Sequence, residues 1–254
     1  MSSPLFIEHY YQKILNYRGS WFLFENKVPR FAQANGPLKR FVGDRTGPRQ
    51  HDALGQRRWR IGWFGYLDDE ASWEILRNLA ESLPEKVAIY VRGASNAGFD
   101  MDRFLADVQR LNNVTYGGPY RNPEDLPDIY NSIDLVWSID CVAPDSNSKW
   151  LLTNALYEAG YFGKPLLGIA GNAVGQFAKS RKIGWCIDTP VATQLVDFIK
   201  HLSAEDYEAT CRAIETQQDE LFTETDEIDR LWMAVQRVKL AGPKAVSAHH
   251  QERA

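Results

Sequence analysis

The segment Asn147–Gly168, NSKWLLTNALYEAGYFGKPLLG, reads as loop, helix and strand in succession. After Asn147 and Ser148, the residues Leu151, Leu152, Ala155, Leu156 and Ala159 fall on one side of a helix of about three turns. Gly163, Lys164 and Pro165 make a turn, and PLLGIA (165–170) follows as a buried strand. Glu158 stands among the apolar positions of the helix. An ionised carboxylate beside a core face is costly unless something binds it. A solvated helix edge, an ion pair with Lys164 or a ligand hydroxyl would each supply the reason.

The same alternation extends to both sides of this segment. RIGWFG (60–65), VAIYVRG (87–93), VTYGG (114–118), LVWSID (135–140), PLLGIA and GWCID (184–188) are short apolar runs. Helical patterns lie between most of them: SWEILRNLAESL, MDRFLADVQRL, NPEDLPDIYNSI, KWLLTNALYEAGYF and, near its end, VGQFAKSR. Strands that alternate with helices and are apolar on both faces imply a parallel sheet covered on each side by right-handed crossovers. The fold class expected over 60–190 is α/β, a Rossmann-like domain with a parallel sheet of about six strands.

Outside this domain the pattern changes. Residues 5–17 carry helical spacing at Phe6, Tyr10, Ile14 and Leu15, and WFLFEN (21–26) reads as a short buried strand. Residues 28–59 hold Pro29, Gly36, Pro37, Gly43, Gly47 and Pro48 among many bases and read as a linker. Its basic run is a solvated connector or an anionic-ligand site. Thr189-Pro190 reads as a helix start, Thr as N-cap and Pro at the first helical position, with Val196, Phe198, Ile199 and Leu202 forming one apolar stripe. Amphipathic helices follow over 191–238, and residues 239–254 have too little apolar content to fold, so a disordered tail is expected.

Composition narrows the function classes. The 254 residues carry a formal net charge of -4 with acids and bases interspersed, which argues against nucleic acid as a partner. Cys141, Cys186 and Cys211 are scattered, without a CxxC or a histidine at metal spacing, so neither a disulfide framework nor a metal site is expected. No apolar run approaches the roughly 18 residues of a membrane span. A cytoplasmic protein with at most peripheral contact at the inner face of a membrane is the expectation.

In an open parallel sheet the ligand crevice lies outside the carboxyl ends of the strands. At those ends stand Gly65 and Tyr66, Arg92 and Gly93, Pro119 and Tyr120, Asp140 with its loop to Lys149, and Gly171 and Asn172. Gly65 and Gly93 are turn glycines or points of ligand approach; GWFG is not a GxGxxG, which disfavours NAD. Arg92 either pairs with a nearby acid or forks a phosphate. Tyr120 is a surface aromatic or a stacking partner for a base, and Asp140 a loop cap or an acid. His9, His51 and His201 are isolated, and no Ser-His-Asp order, Cys-His pair or P-loop is present.

Taken together, RIGWFG, NVTYGGPYRNPEDLPDIYNSIDLVWSID and NSKWLLTNALYEAGYFGKPLLGIAG resemble the C-terminal, nucleotide-sugar-binding domain of the GT-B fold glycosyltransferases, closest to the retaining enzymes of bacterial exopolysaccharide assembly. The resemblance spans about 60–240. It implies a hexosyltransferase that takes a nucleoside-diphosphate sugar and a lipid-linked or oligosaccharide acceptor, without a cofactor or metal. Glu158 matches the second glutamate of the family's E-x7-E motif and would bind the ribose hydroxyls. Tyr120 falls where the base rests, with Arg92 beside the nucleotide. Asn147, Ser148, Lys149 and Gly65 would face the donor sugar and diphosphate. Residues 1–27 look like the end of a preceding acceptor domain, which implies a missing N-terminal domain or partner subunit.

The departures are as specific. Trp150 stands where many relatives carry the first glutamate, and Ala155 where an arginine is usual. Gly65-Tyr66-Leu67-Asp68-Asp69-Glu70 replaces the stretch where Arg and Lys normally hold the diphosphate, and three carboxylates there would repel it. A non-catalytic nucleotide-sugar-binding or interaction module is the alternative these departures favour.

Overall fold

The computed structural model describes residues 3–19, 21–28, 58–96, 98–142, 147–224 and 226–241. The expected linker over 28–59, with its basic run, therefore lies almost wholly outside the described residues, as does most of the expected tail. The last helix runs to Ala241, two residues beyond the expected start of that tail.

Six strands form one sheet: β1 (Trp59–Leu67), β2 (Val87–Ser95), β3 (Val114–Tyr116), β4 (Leu135–Trp137), β5 (Leu166–Ile169) and β6 (Gly184–Ile187). Their order is β3-β2-β1-β4-β5-β6, and every neighbouring pair is parallel. Each of the six runs read from the sequence forms a strand. The order reverses between β1 and β4, which opens a crevice at their carboxyl ends.

Apolar side chains divide between the two faces with the strand period of two. Leu135, Trp137 and Leu167 join one buried cluster, together with Trp73, Leu76 and Leu79 of α2 (Glu70–Ser82), Phe104 of α3 (Met101–Arg110) and Leu195 of α8 (Val191–His201). Val136 and Leu166 face the other cluster, with α4 (Leu126–Asn131), α6 (Asn154–Tyr161) and α7 (Ala173–Arg181). Helix α9 (Ala204–Leu221) contributes Cys211 to the first cluster and Ile214 to the second, so one helix closes both cores.

Four local readings are corrected. The helix expected from Lys149 through Phe162 is two, α5 (Asn147–Trp150) and α6, separated at residues 151–153. Thr153 is extended and shares a hydrogen bond with Ser138 (2.7 Å between hydroxyl oxygens), a tertiary contact that outweighs helical continuity. Helix α8 starts at Val191, with Pro190 rather than Thr189 in the capping position. The first helix is a turn, Pro4–Phe6, that widens into π-helical hydrogen bonding over Ile7–Ile14, and so ends before Tyr17.

WFLFEN is not a strand. Residues 21–28 form an extended strap whose polar groups bond to helices and side chains, where no sheet edge offers a ladder. Tyr157 donates to Glu25 (2.9 Å), Asn26 to Asn154 (2.8 Å) and Lys27 to Glu227 of α10 (Glu227–Ala241; 2.7 Å). Only Val28 makes an isolated parallel bridge, to Thr223.

At the head of the crevice β1 and β2 approach each other through paired glycines, Gly65 and Gly93. A Cβ at Gly93 would lie 1.9 Å from the Gly65 carbonyl oxygen. Backbone cannot yield as a side-chain tip can, so Gly93→Ala is expected to cost about 1–3 kcal/mol in chemical denaturation. An unchanged midpoint would show that the two strands separate without penalty.

Candidate functional site

A cleft of about 350 Å³ opens at the switch point, between the carboxyl end of β1 (Trp63, Phe64, Tyr66, Asp68) and that of β4 (Ser138, Asp140), with Ser148 and Ala155 on its third side. Trp63 and Trp137 form its buried floor, and Tyr66, 73% exposed, stands at its edge. Of the strand-end residues expected to meet, Tyr66 and Asp140 line the cleft, while Arg92, Gly93, Pro119, Tyr120, Gly171 and Asn172 are not among its lining residues.

Glu158 lies one turn beyond Ala155 on α6. Tyr130 donates its hydroxyl to one carboxylate oxygen (2.8 Å) and Asn122 its amide to the other (3.2 Å). Lys164 reaches the Ile133 carbonyl (2.8 Å). Tyr130 is fully buried, stacked on Phe162 (5.0 Å, 12°) and edge-on to Phe64 (5.3 Å), which itself lines the cleft. Burial pushes the Glu158 carboxyl above its ordinary pKa, against the opposing effect of both hydrogen bonds. A carboxylate has about four lone-pair sites. The two protein donors leave acceptor capacity for a ligand diol.

Tyr120 is half-buried against the second core cluster. Burial, and then the charge of Glu158, raise its phenol to about 12 despite Arg92. The Arg92 guanidinium holds the chain that carries Tyr120: it donates to the carbonyls of Gly118 (2.9 Å) and Pro119 (2.7 Å) and to the Tyr90 hydroxyl (3.1 Å). Gly117 allows this, since a Cβ there would meet the Arg92 side chain at 2.5 Å. Two donors are thus occupied by the loop and a third by Tyr90 of β2, and the guanidinium orients Tyr120.

On the other side, Gly65 (φ 126°) lies between the cleft residues Phe64 and Tyr66. Asn147 opens the four-residue helix α5, Ser148 is buried and lines the cleft, and Lys149 is exposed. The Ser148 hydroxyl donates to Asp140 (2.8 Å), which also accepts the Val142 N–H (2.9 Å).

The three acids after β1 separate in role. Asp69 caps α2, accepting from the Ser72 N–H (3.0 Å) and hydroxyl (2.6 Å), and it also takes the Cys141 N–H (2.7 Å) across the switch point. The Trp137 indole donates to the same Ser72 hydroxyl (3.0 Å). Glu70 accepts the Asp100 N–H (2.5 Å), and Asp68 is left exposed at the cleft. Trp150 is covered by the N-terminal helix: His9 stacks on it (5.6 Å, 12°), and Ser3 donates to its carbonyl (2.6 Å).

Sequence reasoning did not single out Tyr130 or Asn122. Tyr130 and Asn122 both read as positions of the helical pattern NPEDLPDIYNSI, whose observed helix begins only at Leu126. Neither carries a local signal that it meets a carboxylate 36 or 28 residues away.

No protein-family profile matches the sequence. The chain is 33% identical over 187 residues to the succinoglycan biosynthesis protein ExoL of Rhizobium meliloti, a match covering 74% of this chain and 44% of that protein. In structure it is similar to Anabaena HepE in complex with UDP-glucose (TM-score 0.58, 15% identity, 71% of this chain and 49% of that one). It is also similar to the C-terminal domain of the group 1 glycosyltransferase LpcC from Francisella tularensis (TM-score 0.52, 16% identity, 66% and 87%). The chain therefore spans less than half of ExoL and about half of HepE. Among the described residues no helix is long and apolar enough to cross a membrane. The chain has the fold of the C-terminal domain of GT-B glycosyltransferases and is related in sequence to a protein of exopolysaccharide biosynthesis.

Proposed function

We propose that this chain is the donor-binding half of a hexosyltransferase that takes a nucleoside-diphosphate sugar and serves polysaccharide biosynthesis in the cytoplasm, at the inner face of the membrane. The acceptor is a lipid-linked or oligosaccharide chain, the anomeric configuration is retained, and acceptor-side groups come from an N-terminal domain or partner subunit. Glu158 holds the ribose, Tyr120 the base with Arg92 fixing its loop, and Asn147, Ser148, Lys149 and Gly65 face the sugar and diphosphate.

The observation that carries this reading is the Glu158 carboxylate. It is desolvated and held by two neutral donors, Tyr130 and Asn122, beside a cleft at the switch point. The HepE structure similar to this one holds UDP-glucose, which makes uridine the first base to try. Calorimetric titration with UDP, GDP and their sugars tests the reading. UDP or GDP is expected to bind, and Glu158→Ala to weaken it by about tenfold or more, the loss of a hydrogen bond to a charged group. Heat from neither nucleotide would remove the reading.

The acidic rim favours one alternative, a nucleotide-sugar-binding module that transfers nothing. Binding without hydrolysis or transfer in the presence of an acceptor lipid extract supports it. Release of UDP coupled to product excludes it.

A further inference from the structure

The two protein donors to Glu158 divide between its oxygens, the Tyr130 hydroxyl on one (2.8 Å) and the Asn122 amide on the other (3.2 Å). Each carboxylate oxygen has about two lone-pair sites, so one acceptor site remains on each. A vicinal diol presents two O–H groups side by side and matches that pair. Where the two sites point is set by the two donors.

Tyr130 is the firmer of them. It is 0% exposed, its ring lies flat on Phe162 and edge-on to Phe64, and its hydroxyl reaches no solvent. Burial first, and then the Glu158 charge, push its phenol well above the ordinary value, so it stays a donor. The carboxylate must turn to Tyr130, because Tyr130 cannot turn to the carboxylate. Asn122 comes from the loop between β3 and α4, which also carries Tyr120. Tyr130 from α4 and Tyr120 from that loop are, among the described residues, the titratable groups that sense the Glu158 charge. Arg92 of β2 acts on Tyr120, and Lys164, beyond α6, donates to the Ile133 carbonyl.

We propose that Tyr130 is a positioning and specificity-determining residue. With Asn122 it turns the Glu158 carboxylate so that one oxygen meets each hydroxyl of a ribose, and this orientation separates a ribonucleotide from its 2′-deoxy form. A side chain so enclosed touches no ligand, and its effect passes through Glu158. The proposal rests on the nucleotide-sugar reading above.

The test is calorimetric titration of the full chain with UDP and 2′-deoxy-UDP, or with GDP and 2′-deoxy-GDP if guanine is the base that binds. The unaltered protein is expected to prefer the ribonucleotide by about tenfold or more, the worth of one hydrogen bond to a charged group. Tyr130→Phe keeps both ring contacts, and the preference should fall to about threefold or less through weaker binding of the ribonucleotide. It also removes the larger of the two hydrogen bonds that oppose the burial of Glu158, so ribonucleotide affinity should begin to fail at a higher pH. The ligand's own ionisation is common to both proteins and cancels in the comparison. In a Glu158→Gln background the same substitution should change affinity by less than about twofold.

Asn122→Ala, at an exposed position, should move preference and pH profile the same way by a smaller amount, and it decides the matter if Tyr130→Phe does not fold. Unchanged preference and pH profile in the variant that folds would overturn the proposal, as would a full loss from Tyr130→Phe in the Glu158→Gln background. Equal binding of the ribo and deoxy forms by the unaltered protein overturns it too, while nucleotide binding stands. Silence from UDP and GDP alike removes the nucleotide reading, and this proposal with it.

Discussion

Glu158→Gln is expected to weaken UDP binding by about tenfold or more and, at pH 7, to raise the melting temperature of the unliganded protein. Two opposite effects at one atom pair follow from its setting. A ribose diol donates to a carboxylate, and a glutamine amide replaces one of those acceptors with a donor. In the empty protein the charge is a burden, because burial raises the Glu158 carboxyl above its ordinary 4.5.

The sign of the pH dependence is fixed by that direction. The folded state keeps this proton at higher pH than the unfolded chain does. The stability it contributes is full below 4.5, declines as pH rises from 4.5 through the raised folded value, and stays low above it. Glutamine has no proton to lose, so the two proteins should diverge across that window and converge below it. Gln can keep its carbonyl toward Tyr130, and Asn122 can turn its amide to accept. Melting curves from acid to neutral pH and a UDP titration decide the matter. A variant that melts lower at pH 7 and binds UDP normally would make Glu158 an ordinary structural carboxylate.

Asp69→Ala is expected to destabilise the fold by about 3 kcal/mol, read by urea denaturation. Removing the cap of α2 costs about 1 kcal/mol. The Ser72 hydroxyl and the Cys141 N–H lose their acceptor as well, at about 1 kcal/mol or more each. Asp69→Asn separates these contributions. Its carbonyl oxygen still caps Ser72, but its amide faces the Cys141 N–H donor to donor, so an intermediate loss is expected. A loss below about 1 kcal/mol for alanine would mean that Asp69 does not hold the switch point together, whatever its bonds.

The sheet was legible because its signal is local: six apolar runs separated by helical patterns need only their own neighbours to be recognised. The crevice was legible for a topological reason, since every strand end in a parallel sheet opens to one side. The break at 151–153 was not, because the apolar spacing of Leu151, Leu152, Ala155 and Leu156 fits one helix, while Ser138, 15 residues from Thr153, ends it. WFLFEN has the apolar content of a strand but meets Tyr157, Asn154 and Glu227, and only the fold reveals those. The same limit applies to the acids after β1. In sequence Asp68, Asp69 and Glu70 are equivalent; in the fold one caps, one bonds to a neighbouring helix start and one is left at the cleft.

The strap over residues 21–28 also bears on the order of events during synthesis. Asn26 waits for Asn154, 128 residues downstream, Glu25 for Tyr157, 132 residues on, and Lys27 for Glu227, 200 residues on. Asn154 and Tyr157 of α6 precede β5 and β6 in the chain, whereas Glu227 follows the whole sheet. The strap can therefore seat on α6 before the sheet is complete, and its tie to α10 closes last.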